Sequence, residues 1–349
     1  MRSATVLVPG PLDALTGGSI YDRRIIEGLR SQGWKIAVQE LDSSFPEPTA
    51  RALDDAASTL AALPDHEVVV IDGLAFGAMP GVLELHAARL MLIALVHMPL
   101  AQQYGLDDVA IRRRRSEEAR ALRCARAVVA TGRSTVVALA EMGQQAPKVV
   151  LVEPGCDPAS LASGSGGGVP KLLCVAAVVP GKGHEGLLRA LAAIRSVWTL
   201  TCVGSISRDP AAAANVRRLA KTLALEDRVA FAGELDGDSL AAVYDGADVF
   251  VLNTLHETFG MAVSEAIARG LPVISSRTGA IPEIVGRGGV LIEPGDGAAL
   301  AAALSTAVND AEARHEWRQG AIDARARLGT WSAAVSKMAD LIAQVSALG

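Results

Sequence analysis

Short apolar segments rich in β-branched residues alternate with longer segments of helical periodicity along the whole chain. This alternation predicts repeated βαβ units and therefore parallel sheets. Two series of strands are predicted, the first at residues 4–9, 35–41, 67–71, 91–97, 127–131 and 148–152, the second at residues 171–179, 198–203, 228–232, 248–253, 271–275 and 289–292. Each series opens with a strand, a glycine-bearing turn and a helix. The pattern therefore predicts an α/β protein with two similar folds in tandem.

A glycine- and serine-rich run at residues 163–168 separates the two series. Such a low-complexity run is typical of a flexible linker. We therefore expect one domain over residues 1–165 and a second over residues 166–330. Ligands bind beyond the carboxyl ends of parallel strands, so the active site is expected in a cleft between the domains. Residues 331–348 follow the second domain and are predicted to form an amphipathic helix.

Composition narrows the function classes. The chain has 349 residues, of which 50% are hydrophobic and 3% aromatic, and its formal net charge is −5. Apolar residues suffice for two cores, whereas a basic surface for nucleic acid is not expected. Cys124, Cys156, Cys174 and Cys202 form no CxxC pair, so we expect reduced thiols, mostly in the core, in a cytoplasmic protein. We expect neither a signal peptide nor a membrane-spanning segment.

Residues 181–186 match the GxGxxG pattern of dinucleotide-binding sites, between a predicted strand and a helix. Such a site also needs an acidic residue at the end of the next strand to bind the ribose. That strand is followed by Gly204 and Ser205, so a nicotinamide cofactor is not expected. Lys182 within the turn points instead to a phosphate ligand, because a cation at a strand-end turn can pair with a phosphate.

The most informative segment is residues 253–270, NTLHETFGMAVSEAIARG. A loop with Glu257 follows a predicted strand, and a helix is expected to begin within residues 258–261 and to carry Glu265 about two turns along. The first amides of this helix would bind a diphosphate at the positive end of the helix dipole; they belong to Phe259, Gly260 and Met261. Glu265 would reach a ribose diol, and Glu257 would meet a sugar.

Further short motifs occur in a fixed order around this segment. They are Val179-Pro-Gly-Lys-Gly-His184, Val203-Gly204-Ser205, Val229-Ala-Phe-Ala-Gly233, Ala247-Asp-Val-Phe-Val251, Gly270-Leu-Pro-Val273, Gly279-Ala-Ile-Pro-Glu283 and Pro294-Gly-Asp296. Together with the Glu-x7-Glu pair they resemble the retaining GT-B glycosyltransferases of family 4, also called glycosyl transferases group 1. The first half resembles this family more loosely, through Gly17-Gly18, Val96-His97, Ala130-Thr-Gly132 and Pro154-Gly155-Cys-Asp157.

The resemblance implies a GT-B architecture, in which two Rossmann-like domains face each other across a cleft. It implies transfer of a sugar from a nucleoside-diphosphate sugar to an acceptor hydroxyl, with retention and without a metal or other cofactor. The acceptor, whether a sugar, a lipid-linked molecule or another small molecule, is not specified. Residues 1–165 would form the acceptor-side domain, and the last helix, residues 331–349, would return to pack on it.

The resemblance also assigns roles to individual residues. Lys182 would neutralise the donor diphosphate, and Glu265 would bind the ribose. Glu257 and His97 would lie at the donor sugar. The other donor-binding residues would supply backbone amides to the phosphates or line the base pocket; they are Gly17, Gly18, Thr258 to Met261, Gly233 and Glu234.

One departure from the family leaves alternatives open. The family usually has Gly-Arg five residues before the lysine position, where this chain has Ala176-Ala177. A charge-assisted hydrogen bond of this kind is worth ~1.5–3 kcal/mol. The chain could therefore also be a catalytically silent module that binds a nucleotide sugar. A nucleotide-sugar epimerase on the same fold is the other alternative.

Two charged motifs have competing interpretations. The run of arginines at residues 112–115, followed by Glu117 and Glu118, could attract anionic lipid or a charged acceptor. We favour a solvated helix face with Arg–Glu pairs at helical spacing, so membrane contact is not favoured. Asp236 and Asp238 could hold a divalent metal. We favour a turn in which an aspartate caps the next helix, and no metal is expected.

Overall fold

The computed structural model of the protein describes residues 2–144 and 148–349. The chain forms two compact units, Met1–Gly155 with Gly329–Gly349, and Cys156–Leu328. In the part that the structure describes, no helix combines the length and the apolar character that crossing a membrane requires. The division lies about ten residues before the boundary predicted at residue 165.

The first unit contains a six-stranded parallel sheet in the order β2-β1-β3-β4-β5-β6. Its elements are β1 (Ser3–Pro9), α1 (Gly17–Ser31), β2 (Lys35–Leu41), α2 (Ala50–Ala61), β3 (Val68–Asp72), α3 (Gly73–Phe76), α4 (Pro80–His86), β4 (Met91–Val96), α5 (Asp108–Arg123), β5 (Ala127–Ala130), α6 (Arg133–Glu141) and β6 (Val149–Leu151), with a 3₁₀ turn at Leu100–Gln102. The strand order reverses between β1 and β3, so the loops after these strands diverge and open a crevice.

Helices cover both faces of this sheet, which explains why its strands are apolar throughout. Along β3, Val68 and Val70 belong to a core cluster that includes residues of α1, whereas Val69 and Ile71 belong to a second cluster with residues of α2. Side chains of successive strand residues point to opposite faces, so one strand contributes to both cores.

The last helix of the chain, Trp331–Ser346, packs on α1 within the first unit. Of the apolar residues predicted on one side of this helix, Val335, Met338, Leu341 and Val345 are buried and Trp331 is partly exposed. Gly28 of α1 makes this approach close, because a Cβ at that position would lie 2.3 Å from a methyl carbon of Val335.

The second unit contains another six-stranded parallel sheet, in the order β12-β11-β10-β7-β8-β9. Its elements are β7 (Lys171–Val175), α7 (His184–Ala192), β8 (Thr199–Val203), α8 (Pro210–Thr222), β9 (Val229–Gly233), α9 (Gly237–Asp245), β10 (Val249–Leu252), α10 (Met261–Ala268), β11 (Val273–Ser276), α11 (Ile281–Val285), β12 (Gly289–Ile292), α12 (Gly297–Asn309) and α13 (Ala311–Ala324), with 3₁₀ turns at Pro180–Lys182 and Arg325–Arg327; the helix of the first unit at Trp331–Ser346 is α14. The order reverses between β7 and β10, which opens a second crevice. The prediction of two parallel α/β folds is confirmed.

The glycine- and serine-rich run at residues 163–168 is not a free linker. The backbone amide of Ser163 donates to Asp245 Oδ1 at 3.1 Å, and the amide and hydroxyl of Ser165 donate to Asp248 Oδ1 at 2.9 and 3.0 Å. The run is therefore tied to the end of α9 and the start of β10, inside the second unit. Its glycines serve the turn, since Gly164, Gly166 and Gly167 have positive φ.

The arginine-rich helix α5 matches the favoured interpretation in part, since Arg112, Arg113 and Arg115 are exposed. Arg114 and Glu118 are buried instead of lying on a solvated face. Glu118 accepts a hydrogen bond from the Leu100 amide at 2.9 Å, and Arg114 forms an ion pair with Glu47. These two charges therefore hold the segment that follows β4, and Arg114 and Glu118, four residues apart on the helix, also attract each other.

Of the four free thiols, those of Cys174 and Cys202 are buried, whereas Cys124 and Cys156 are partly exposed. The two buried cysteines are register partners on β7 and β8. The expectation of mostly core thiols therefore applies to two of the four residues.

Candidate active site

The reversal of strand order in the second unit brings together the loops after β7 and β10. The Leu255 amide donates to the Gly181 carbonyl at 2.8 Å, and the Asn253 side-chain amide donates to the Gly183 carbonyl at 3.2 Å. These bonds cross between the loops, so the predicted phosphate-binding turn and the predicted sugar-binding loop form one structure.

Glycine at position 183 is required for this arrangement. Its φ is +69°, and a Cβ there would lie 1.8 Å from the Asn253 carbonyl oxygen. The next glycine, Gly186, would place a Cβ 2.8 Å from Asn253 Nδ2. These two glycines of the GxGxxG pattern therefore serve a tight turn and close packing between loops.

Lys182 and Glu257 form an ion pair in these loops. The distance from Lys182 Nζ to Glu257 Oε2 is 2.6 Å, and the side chains are 28% and 17% exposed. Both groups are thus accessible at the carboxyl ends of the central strands, where ligands of parallel sheets bind. The structure brings together two of the three predicted catalytic residues.

The loop that carries Glu257 is supported by the Gly279 motif. A Cβ at Gly279 would lie 2.1 Å from the Glu257 carbonyl oxygen, and the Ala280 amide donates to the Thr258 carbonyl at 3.1 Å. Gly279 also has a φ of +55°. The motif at residues 279–280 therefore packs against the backbone of the predicted sugar-binding loop and fixes its position.

The helix after this loop, α10, begins at Met261 with Gly260 as its N-cap in a left-handed conformation, φ +96°. The helix was predicted to begin within residues 258–261, and the structure places its start at the last of these. Thr258 and Phe259 consequently belong to the loop, whereas the first helical amides begin at Met261.

Glu265 lies on α10 and is oriented by a residue that the sequence analysis missed. The buried Tyr244 hydroxyl donates to Glu265 Oε2 at 3.0 Å. The guanidinium of Arg269 lies 4.5 Å from the centroid of the Tyr244 ring. No local motif marks this tyrosine; its only signal is a single aromatic residue between small residues on the preceding helix.

The predicted base-pocket residues lie at the end of β9. Gly233 has a φ of +72° and accepts a hydrogen bond from the Gly204 amide at 2.8 Å, and Glu234 after it is exposed. The Asp236 side chain accepts from the Ser239 amide at 2.8 Å. The interpretation of Asp236 as a helix cap is therefore confirmed.

The remaining predicted site residues form a separate cluster in the first unit. His97 follows β4, and its Nε2 lies 3.1 Å from Asp22 Oδ1 and 3.3 Å from Asp72 Oδ2. Gly17 and Gly18 form the first turn of α1, not a loose loop. A Cβ at Gly18 would lie 3.2 Å from His97 Cδ2, so glycine lets the helix start approach the imidazole.

Electrostatics fix the charge of this cluster. Burial disfavours the charged imidazole, but Asp22 and Asp72 outweigh it and raise the pKa of His97 to about 10. Burial also raises the pKa of Asp22 to about 6, although His97 acts in the opposite direction. His97 Nε2 and the contacting oxygens of Asp22 and Asp72 lie within 4.8 Å of one another. Hydrogen bonding of one imidazolium N–H to two carboxylates explains this spacing.

Of this cluster, His97 was predicted from the sequence, whereas Asp22 and Asp72 were not. Asp72 ends the otherwise apolar strand β3, and a carboxylate in that position was a usable signal. Asp22 lies one helical turn after Gly18 on α1. Nothing local distinguishes it from the other charged residues of that helix.

Comparisons with known proteins identify glycosyltransferases as relatives of this chain. Residues 157–324 match the family model of the glycosyl transferases group 1. A D-inositol 3-phosphate glycosyltransferase of Corynebacterium efficiens is 32% identical over 210 residues, which is 57% of this chain and 49% of that protein. The sulfoquinovosyl transferase of Arabidopsis thaliana is 37% identical over 113 residues, 31% of this chain and 22% of that protein. The chain thus spans about half the length, or less, of these relatives.

Solved structures match over nearly the whole chain. Sucrose-phosphate synthase from Thermosynechococcus elongatus has a TM-score of 0.81 at 22% identity, covering 99% of this chain and 100% of that one. The Anabaena protein HepE, in complex with UDP and glucose, has a TM-score of 0.76 at 17% identity, covering 98% and 100%. At such identities the likeness establishes the fold alone. The chain has the GT-B fold, and its second unit is a glycosyl transferases group 1 domain.

Proposed function

We propose that this protein is a retaining, metal-independent glycosyltransferase that uses a nucleoside-diphosphate sugar. The observation that carries the proposal is the ion pair of Lys182 and Glu257, 2.6 Å apart, where the strand order of the group 1 domain reverses. A nucleotide sugar has a diphosphate and a sugar side by side. A cation and a carboxylate held side by side match these two parts.

Each residue has a part in the proposed reaction. Lys182 and the first amides of α10 stabilise the charge that develops on the departing diphosphate. Glu265, held by Tyr244, binds the ribose diol, and Gly233 and Glu234 contact the base. Gly17 and Gly18 present the amides of the first turn of α1 to phosphate. The acceptor oxygen attacks the anomeric carbon on the face that the diphosphate leaves, so the sugar keeps its configuration. The bond from this carbon to the diphosphate oxygen breaks, and the proton of the acceptor hydroxyl passes to the departing diphosphate.

The comparisons suggest where to look for the donor. HepE was solved with UDP, with UDP and glucose, and with UDP-glucose. We propose uridine diphosphate sugars as the first donors to test and the cytoplasm as the place of the reaction. Inositol phosphate, named in several relatives, is the first acceptor to test.

The deciding experiment measures both binding and turnover with the full chain. Nucleoside diphosphates and their sugars are screened by thermal shift, because a ligand that binds only the folded state raises the unfolding temperature. Release of the diphosphate is then followed with and without acceptors. Conversion of the donor to an epimer without acceptor would favour the epimerase. Binding without turnover under any acceptor would favour the silent module.

The two glutamates are expected to differ in their effects on binding. Glu265→Ala should weaken binding of the bare nucleoside diphosphate by about 10- to 150-fold, because a hydrogen bond to a charged group is worth ~1.5–3 kcal/mol. Glu257→Ala should leave that affinity within about threefold of wild type and impair use of the intact donor. Calorimetry and initial rates measure the two quantities, with exposed Glu226→Ala as the matched control. Equal losses of bare-nucleotide affinity in both variants would contradict the placement of Glu257 at the sugar.

Chelation is expected to leave the activity largely intact. The proposed partners of the diphosphate are a lysine and backbone amides, which need no metal. Initial rates are compared before and after EDTA treatment. If EDTA abolishes the rate and magnesium or manganese restores it, metal independence is wrong.

A further inference from the structure

We propose that Asp22 and Asp72 are positioning residues that hold His97 as a fixed imidazolium, with its Nε2 proton committed to the two carboxylates and its Nδ1 left to face the donor sugar. The contact with the sugar rests on the proposed function. The fixed charge of His97 is independent of the proposed function, because it follows from Asp22 and Asp72 of the first unit.

Carboxylates from two elements of the first unit contact the imidazole of His97. Asp22 comes from α1 and Asp72 from the end of β3, and both are buried. A single nitrogen, Nε2, contacts both carboxylates, at 3.1 and 3.3 Å. An N–H that lies between two carboxylates is attracted to both, so Nε2 is protonated here, and the second proton of the imidazolium is on Nδ1.

The partners are themselves anchored. Asp72 uses its other oxygen, Oδ1, to accept from the Leu74 amide at 2.7 Å, which caps α3. The Tyr21 ring meets the imidazole edge to face, with centroids 5.1 Å apart. The Thr135 hydroxyl donates to the His97 carbonyl at 3.1 Å. These contacts therefore fix the ring plane and the backbone of His97 and the carboxylate of Asp72 before any ligand binds.

The charges around His97 all act in one direction. The titratable groups that face the imidazole are Tyr21 and Asp22 from α1 and Asp72 from β3, while β5 and α6 contribute the uncharged hydroxyls of Thr131 and Thr135. Two buried carboxylates side by side repel each other, and an imidazolium between them relieves this repulsion. The attraction of the two carboxylates for the imidazolium raises the pKa of His97 to about 10.

This charge state determines what His97 can do. Both ring nitrogens of an imidazolium already carry a proton, so His97 in this charge state is not a general base. Its Nδ1–H can donate a hydrogen bond to a sugar hydroxyl, with a full positive charge behind it. Charge-assisted hydrogen bonds are about twice as strong as neutral ones, so the aspartates strengthen this contact without touching the sugar.

The test is an NMR titration of the imidazole signals in the full chain, from about pH 5 to about pH 10. His97→Gln identifies the His97 signal among the six histidines. In wild type His97 should keep the chemical shifts of the charged ring through neutral pH. Asp22→Asn and Asp72→Asn should each lower its midpoint by roughly one to three pH units, because each removes a neighbouring negative charge. Exposed Asp54→Asn should leave the midpoint unchanged.

Activity supplies the second measurement. In the wild-type protein, the dependence of kcat/KM on pH should show no change near neutral pH that is caused by deprotonation of His97. In Asp22→Asn it should fall as the pH rises through the new His97 midpoint. A purely structural role of Asp22 would lower the rate equally at all pH values, which contradicts the proposal.

Two further outcomes would overturn the proposal. One is a wild-type His97 that loses its proton near the ordinary value of about 6.5. The other is a midpoint that neither Asn substitution moves. If the substituted chains do not fold, the wild-type titration decides alone. If no donor is turned over by any variant, the proposed function fails, whereas the titration still measures the charge.

Discussion

Lys182→Ala is expected to lower kcat/KM about a hundredfold, with most of the loss in kcat. The reason is that the negative charge on the diphosphate grows as the sugar bond breaks, so the contact with the ammonium strengthens in the transition state. An electrostatic contact of this kind is worth on the order of 3 kcal/mol, which is about a hundredfold in rate. The ammonium nitrogen of Lys182 lies 2.6 Å from Glu257 Oε2.

The residue at position 177 provides a second test of the role of Lys182. The family places arginine there, so in this chain Lys182 is the main side-chain cation proposed for the diphosphate. The double variant Ala177→Arg/Lys182→Ala should therefore regain part of the lost rate. Steady-state kinetics on both variants measure this, with circular dichroism to check folding and exposed Lys221→Ala as control. A Lys182→Ala enzyme within about threefold of wild type would remove Lys182 from the mechanism.

The sheets were predictable because strands buried on both faces are continuous apolar runs, which the surrounding turns interrupt. The ends of strands were less predictable. The apolar run after Lys171 extends to Val179, yet β7 ends at Val175. Val178 lies beyond the strand but is still buried, and its amide donates to the Ser205 carbonyl at 2.8 Å, so hydropathy does not distinguish this segment from the strand.

The site residues that were found share a local signature, and those that were missed do not. Lys182, Glu257 and Glu265 stand at fixed offsets from turns and from a helix start. Tyr244 reaches Glu265 across 21 positions of sequence, and Asp22 reaches His97 across 75 positions. Which polar residues meet at such separations depends on how helices pack, and one sequence carries no direct record of it.

The run at residues 163–168 illustrates a different limit. Glycine and serine are common both in flexible linkers and in turns that need positive φ. The difference lies in Asp245 and Asp248, more than 80 positions later, whose carboxylates bind the run. Composition alone could therefore not separate a linker from an anchored turn.

Gly183→Ala is expected to lower the unfolding temperature by about 10 °C. Two costs combine at this position. A non-glycine residue in the left-handed region costs roughly 1–2 kcal/mol, and the new Cβ would lie 1.8 Å from the Asn253 carbonyl oxygen. The loops cannot separate without breaking the bond from Asn253 Nδ2 to the Gly183 carbonyl. A total of ~4 kcal/mol corresponds to roughly 8–16 °C for a unit of this size.

Gly295→Ala separates the two costs. Gly295 lies in the same unit and has a similar φ, +84°, but no atom lies within 4 Å of a Cβ built there. This variant should lose only the backbone term, which lowers the unfolding temperature by about 2–8 °C. Thermal unfolding of both variants measures the difference, and nucleotide affinity should fall only in Gly183→Ala, where the displaced turn carries Lys182. Equal unfolding temperatures would show that left-handed strain alone limits position 183 and that the two loops separate at little cost.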